Sequence, residues 1–196
     1  MIQKLLQRLL TQPPQQLNND SWLVVGLGNP GPNYQSNRHN IGQIVLDVLA
    51  KRLGTNFKSS RQQALCAEAR IAPGKPKVIL AKPTSFMNLS GSPISLLAKF
   101  YSIPMDRIIV VHDEIDIPFG DIRLKFSGGH AGHNGLRDII AKLGNEFHRI
   151  RFGVGRPPGS QEVASFVLEN FNSVERKELD VLCEIAADRV IELISA

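Results

Sequence analysis

Apolar residues along the chain follow two periods that alternate with one another. WLVVGLG, residues 22–28, is a continuous β-branched run ending in glycines, which predicts a buried strand feeding a loop. Asn40 then precedes Ile41, Ile44, Val45, Val48 and Leu49, apolar at helical spacing, and Gly54 is placed to end that helix. Residues 65–72 and 77–81 read as two strands joined by PGKP, whose proline and glycine favour a hairpin. Ser92 with Pro93 opens a helix running to about Tyr101, because serine caps free amides and proline at the first helical position gives up no bond. RIIVV, residues 107–111, is another buried strand and runs directly into the acidic cluster HDEID. DIRLKF alternates Ile122, Leu124 and Phe126 with Asp121, Arg123 and Lys125, predicting a half-exposed strand with one buried face. After GGHAGHNG, a helix on Leu136, Ile139, Ile140 and Leu143 is closed by Gly144. HRIRFGVG alternates again, and Asn172 with Glu175 opens a final amphipathic helix.

Strands alternating with helices predict an α/β fold: a single three-layer domain with a twisted mixed β-sheet flanked by helices, since the hairpin and the alternating strands do not fit a purely parallel sheet. A chain of 196 residues, 42% hydrophobic, can close one core. That domain is expected over residues 21–196. TQPPQQLNND, residues 11–20, reads as a linker, so residues 1–20 form an N-terminal extension. Within it, MIQKLLQRLL carries Lys4 and Arg8 inside its apolar stretch and lacks a small-residue cleavage site, which argues for a loosely docked helix over a secretory signal. No apolar run approaches the ~18 residues needed to cross a bilayer. Cys66 and Cys183 are far apart without metal-type spacing, fitting two buried apolar residues in a reducing compartment. The expected localisation is cytoplasmic.

Charge is unevenly spread. Residues 1–160 hold 20 Lys and Arg against 10 Asp and Glu, whereas residues 161–196 hold 3 against 8. The body therefore suits a polyanionic partner, and the tail reads as a solvated acidic helix.

Candidate chemistry gathers in the loops. GLGNPG satisfies GxGxxG through Gly26, Gly28 and Gly31, but Pro30 and Pro32 prolong the loop before the helix, which argues against a dinucleotide. Asn29, at the carboxyl end of a strand, has an amide that can donate and accept, although simple turn chemistry would also explain it. Arg38, His39 and Asn40 sit just before a helix, whose amide dipoles should favour a neutral, basic histidine. Asp113 ends a buried strand, where a carboxylate can fix the tautomer of an imidazole so that its other nitrogen takes a proton from water. Glu114 and Asp116 beside it keep a magnesium site open as a rival. His130, His133 and Asn134 lie in a glycine-rich loop capable of close approach to a ligand; without a nearby cysteine the histidines make a poor zinc site. In SFMNLSG, Phe86 and Met87 are core residues or a surface for an attached chain, with Asn88 suited to hold a carbonyl. Arg123, Lys125, Arg149 and Arg151 alternate along two predicted strands, so each pair should share a face that meets either phosphates or solvent.

Taken together, GLGNPGPNYQSNRHNIG, KPTSFMNLSG, HDEIDIPFG, GGHAGHNGLRDII and FHRIRFGVGRP resemble bacterial peptidyl-tRNA hydrolases in order and spacing, over about residues 22–190. The resemblance implies a monomeric α/β enzyme of the cytoplasm, with no metal and no cofactor, that cleaves the ester joining a peptide to the 3′-terminal ribose of tRNA. It implies that His39 is the catalytic base, that Asp113 holds it, and that Asn29 separates N-blocked peptidyl substrates from free aminoacyl-tRNA. Tyr34, Phe86, Met87, Asn88 and Asn134 then match the peptide and 3′-end surface, and Arg123, Lys125 and Arg151 the tRNA backbone.

The chain departs from the family pattern in its acidic end at IELISA, where a longer basic segment is common, in Ser127 at the start of the glycine-rich loop, and in its first twenty residues. Two other classes are consistent with parts of the sequence. One is a non-catalytic RNA-binding scaffold of the same fold, like plastid splicing factors; the other is a metal-dependent phosphohydrolase on Asp113, Glu114 and Asp116.

Overall fold

The computed structural model describes residues 20–196, so the expected N-terminal extension lies outside the described residues but for Asp20. Strand β1 (Trp22–Gly26) leads through a long loop into helix α1 (Ile41–Arg52). A short strand β2 (Lys58–Ser59) and the hairpin β3 (Ala64–Arg70) and β4 (Lys77–Pro83) follow, then α2 (Gly91–Phe100), β5 (Ile108–Glu114), β6 (Ile122–Phe126), α3 (Asn134–Leu143) and β7 (His148–Gly153). Two helices, α4 (Val163–Val167) and α5 (Glu175–Ser195), close the chain.

These strands form one seven-stranded sheet in the order β2-β3-β4-β1-β5-β7-β6. Its four central strands are parallel, and both flanks are antiparallel. The mixed three-layer sheet read from the sequence is therefore the one observed. Period-two alternation explains how both faces are covered: Val24, Leu80, Ile109 and Val111 point to the layer of α1 and α5, and Leu23, Val25, Ile79 and Val110 to the layer of α2 and α3. Each such side chain, withdrawn fully from water, contributes roughly 1.5–3 kcal/mol. Cys66 and Cys183 are buried and unpaired, as expected.

The glycines at the top of β1 serve packing. A Cβ on Gly26 would stand 2.3 Å from the Gly42 carbonyl oxygen, and one on Gly42 would stand 2.2 Å from that of Val111. The GxGxxG match thus reflects close approach of α1 to the sheet.

Three local expectations change. Helix α2 begins at Gly91, not Ser92, with Pro93 at its third position, where an amide has no intrahelical acceptor either. Its cap comes from another helix, because the Gly91 N–H donates to Asp138 Oδ2 of α3 at 2.8 Å. Strand β6 has no buried face: Leu124 and Phe126 are each 51% exposed and only Ile122 reaches the core, since β6 is the outermost strand. Asn40 makes no capping bond to α1 and is used elsewhere. The capping pair at the last helix is present: Asn172 Oδ1 accepts from the amides of Val174 and Glu175, and Glu175 Oε2 accepts from that of Asn172.

Candidate active site

The carboxyl ends of β1, β4 and β5 meet where the parallel sheet turns over its loops, the usual place for an α/β site. Strand β5 stays buried through its last residues, which puts the Asp113 side chain inside the protein at 3% exposure. A carboxylate so placed needs donors, and it has two imidazoles. His39 comes from the 3-10 turn before α1, and its Nδ1 lies 2.9 and 3.0 Å from the two Asp113 oxygens. His133 reaches Asp113 Oδ1 through Nε2 at 3.0 Å.

The backbone settles the tautomer of His133. Its Nδ1 caps α3 by accepting from the amides of Gly135 (3.1 Å) and Leu136 (3.3 Å), so Nε2 carries the hydrogen given to Asp113. Asp113 is in turn the acceptor for the Nδ1–H of His39, which leaves His39 Nε2 with a free lone pair. Burial opposes ionisation of Asp113, but the adjacent His39 and His133 outweigh it and hold the carboxyl well below its usual range. For His39, burial favours the neutral ring, and the charge and hydrogen bond of Asp113 prevail, raising the pKa above its ordinary value. The Asp113 carboxylate in direct contact thus offsets burial, and the lone pair on Nε2 of the neutral ring is where His39 accepts a proton. His112, packed edge-on to His133 at 5.1 Å, is pushed down to about 3, by burial first and then by repulsion from His133.

On the opposite wall, Asn29 is held by three bonds. Its backbone N–H donates to Asn40 Oδ1 and its carbonyl accepts from Asn40 Nδ2, both at 2.9 Å. Its side-chain Oδ1 accepts from the Met87 amide at 2.8 Å. With the oxygen so occupied, the Asn29 amide can present only its Nδ2 hydrogens to the cleft. Asn29, His39, Met87, Asn88, Asp113 and Asn134 together line a cleft of about 660 Å³, which Val163, Val167 and Leu168 also line. Six of the expected site residues therefore converge.

Five of the expected residues lie outside that lining. Tyr34 packs edge-on against Phe86 with ring centroids 6.4 Å apart, and Phe86 is 52% exposed. Arg123 and Arg151 are cross-strand partners, as are Lys125 and Arg149, so the four basic residues do share one face of the β6–β7 ribbon. They are not four equivalent cations. Arg149 is buried and donates to the carbonyls of Gly128 and Gly129, the latter at 2.6 Å, holding the glycine-rich loop. Arg151 pairs with Glu114 at 3.0 Å, and Arg123 with Asp121 at 2.7 Å. Glu114 lines the cleft, so Arg151 links the ribbon to the site. These pairs also weaken the magnesium alternative, because Glu114 is matched to Arg151, Asp116 to Arg156, and Asp113 to two histidines.

Sequence reasoning passed over three features. His133 caps a helix, a role signalled by its position one residue before a helical run. Helix α4 has five residues, too few to show a period. Arg38 has partners that no residue near it in the sequence signals. It is buried, stacks on Phe166 with its guanidinium 4.3 Å from the ring centre, donates to the Asn170 carbonyl at 3.0 Å and pairs with Glu175 at 2.8 Å.

Fold and site together define a class, an α/β protein with a carboxylate-held imidazole at its strand ends, the arrangement of general-base hydrolases. Comparison with known proteins narrows it. Residues 23–196 match the peptidyl-tRNA hydrolase family, and the chain belongs to it. It is 57% identical over 170 residues to the peptidyl-tRNA hydrolase of Leifsonia xyli, covering 86% of this chain and 88% of that one. To the enzyme of Streptomyces coelicolor it is 55% identical over 177 residues, covering 88% of each. The crystal structure of peptidyl-tRNA hydrolase from Acinetobacter baumannii superposes with a TM-score of 0.84 at 38% identity, over 90% of both chains.

Proposed function

We propose that this protein hydrolyses the ester of peptidyl-tRNA with His39 as general base. The carrying observation is the Asp113 bond to His39 Nδ1, which leaves Nε2 as the acceptor in a residue lining the cleft. A water oxygen adds to the ester carbonyl carbon while Nε2 takes its proton. Charge accumulates on the former carbonyl oxygen, and Asn29 Nδ2 is the donor best fixed to meet it, with Asn88 and Asn134 also lining the cleft. The intermediate then expels the 3′-ribose oxygen, which recovers the proton from the imidazolium. An alkoxide leaving group needs no covalent nucleophile, and a positioned base alone supplies typically ~10²- to 10⁴-fold.

In this reading Asn29 also selects substrates whose α-nitrogen is acylated. Met87 and the Tyr34–Phe86 pair carry the peptide, and Arg123, Lys125 and Arg151 meet the tRNA backbone. The basic body and acidic tail of the chain support that orientation. The enzyme acts as a cytoplasmic monomer, without metal or cofactor; no described helix is long and apolar enough to cross a membrane. Family membership supports turnover over a non-catalytic scaffold. The test is hydrolysis of N-acetyl-aminoacyl-tRNA and of unblocked aminoacyl-tRNA, each with EDTA, by wild type and His39→Ala. Cleavage of the blocked ester alone, undiminished by EDTA and reduced ~10²-fold or more in the variant, is expected. Equal cleavage by the variant sinks the assignment.

A further inference from the structure

We propose that the outer face of α2 is a track for the peptide portion of the substrate, continuing the cleft down the side of the sheet. This rests on the reading of the site as one for peptidyl-tRNA. Phe86, Leu89, Leu96 and Phe100 are 52%, 51%, 46% and 63% exposed. On α2, Ser92, Leu96 and Phe100 are four residues apart and stack along one side, following Leu89 in the turn before the helix; Ser92 is polar and half-buried. The opposite side, Ile94, Leu97 and Ala98, is buried and anchors α2 on the sheet. Phe86 and Leu89 flank Met87 and Asn88 in the turn before α2, and those two residues line the cleft. The exposed apolar residues therefore begin beside the site with Phe86 and Leu89 and resume past Ser92 at Leu96 and Phe100.

The direction of the stripe follows from topology. Helix α2 connects β4 to β5, and both run parallel to β1 between them, so α2 must run back from the site end of the sheet to its far end. From Leu89 to Phe100 that is ~16 Å at 1.5 Å per residue, the length of about five residues of extended peptide. Exposed large apolar side chains gathered on one side of a helix beside a cleft point to a binding surface. The substrate's own chain is the occupant that its continuity with the cleft favours: a peptide esterified through its last carbonyl has to leave the cleft, and Phe86 stands at the rim, next to the cleft-lining Met87. Apolar side chains on alternate residues of that peptide would meet the stripe, and the exposed Lys99 beside it disfavours basic ones.

The experiment compares N-acetyl-aminoacyl-tRNA with peptidyl-tRNAs carrying six residues, apolar or lysine-rich, on the full chain and on Leu96→Ser/Phe100→Ser. In wild type the apolar hexapeptide should lower KM by about tenfold relative to the single residue, the factor for covering roughly one large side chain, with kcat unchanged. In the double variant that advantage disappears while N-acetyl-aminoacyl-tRNA is cleaved as before, and circular dichroism confirms the fold. A length advantage that survives in the variant, or one equally large for lysine-rich peptides, overturns the track. So does a concentration-dependent dimer that the substitutions abolish, since the stripe would then belong to a second copy. Failure of wild type on N-acetyl-aminoacyl-tRNA would instead sink the hydrolase reading itself.

Discussion

The cleft and the β6–β7 ribbon both concentrate charged side chains, yet they handle them in opposite ways. In the cleft, Asp113 is buried and receives two imidazoles within 3.0 Å, while His39 Nε2 and Asn29 Nδ2 are left to face the substrate space. On the ribbon, Arg123 and Arg151 are each matched to a local acid and are partly open to water. Low dielectric makes the first set strong and geometrically strict, while screening makes the second weak and adjustable. Chemistry is thus expected to fail sharply on single changes in the cleft, and binding to decline gradually on the ribbon.

The largest effect should come from Asp113→Asn. The amide removes the charge that raises His39 and can impose the wrong tautomer, so kcat should fall on the order of 10²- to 10⁴-fold. Any residual activity should have a lower acidic limb. In wild type, activity is lost as pH falls through the raised pKa of His39, because the imidazolium cannot accept a proton; the variant's limb moves down once the raising partner is gone. An unchanged pH profile would contradict the assigned partnership. Arg151→Ala should be milder: KM rises about tenfold, kcat holds, and the slope of log affinity against log salt becomes shallower by about one. Loss of kcat without a change in salt dependence would move Arg151 from the tRNA surface to the site.

The smallest effect concerns stability. His112 is depressed to about 3 in the folded chain, so between its ordinary pKa near 6.5 and that value the unfolded chain binds the proton and the folded one does not. Wild type should therefore lose stability as pH falls below about 6.5, by up to ~1.4 kcal/mol per pH unit from this group. His112→Gln keeps a donor for the Asp113 carbonyl and should flatten that slope in urea titrations at pH 7 and pH 5. The same slope in both proteins would show that other groups dominate.

Among the described residues, periodicity makes most of the sheet and four of the five α-helices legible, because each spans enough residues for a face to repeat. Asp113 and His39 were legible as chemistry, since a carboxylate ending a buried strand and a histidine before a helix are unusual places for those side chains. What the pattern does not carry is which distant residues share a partner. Nothing near Arg38 announces Glu175, 137 residues away, and nothing in HRIRF says that Arg149 turns inward to the glycine-rich loop while Arg151 stays half-open. Strand β6 misled for a related reason. Alternation shows that two faces differ, but an outermost strand need not have anything laid over its apolar side.

Arg38 ties the turn bearing His39 to carbonyls and a carboxylate made some 130 residues later, at Phe166, Glu169, Asn170 and Glu175. The turn bearing His39 can therefore gain these partners only once the chain has been made through residue 166 and beyond. A polypeptide cut short before residue 166 would carry His39, Asp113 and Asn29 in its sequence without any of the partners that clasp Arg38.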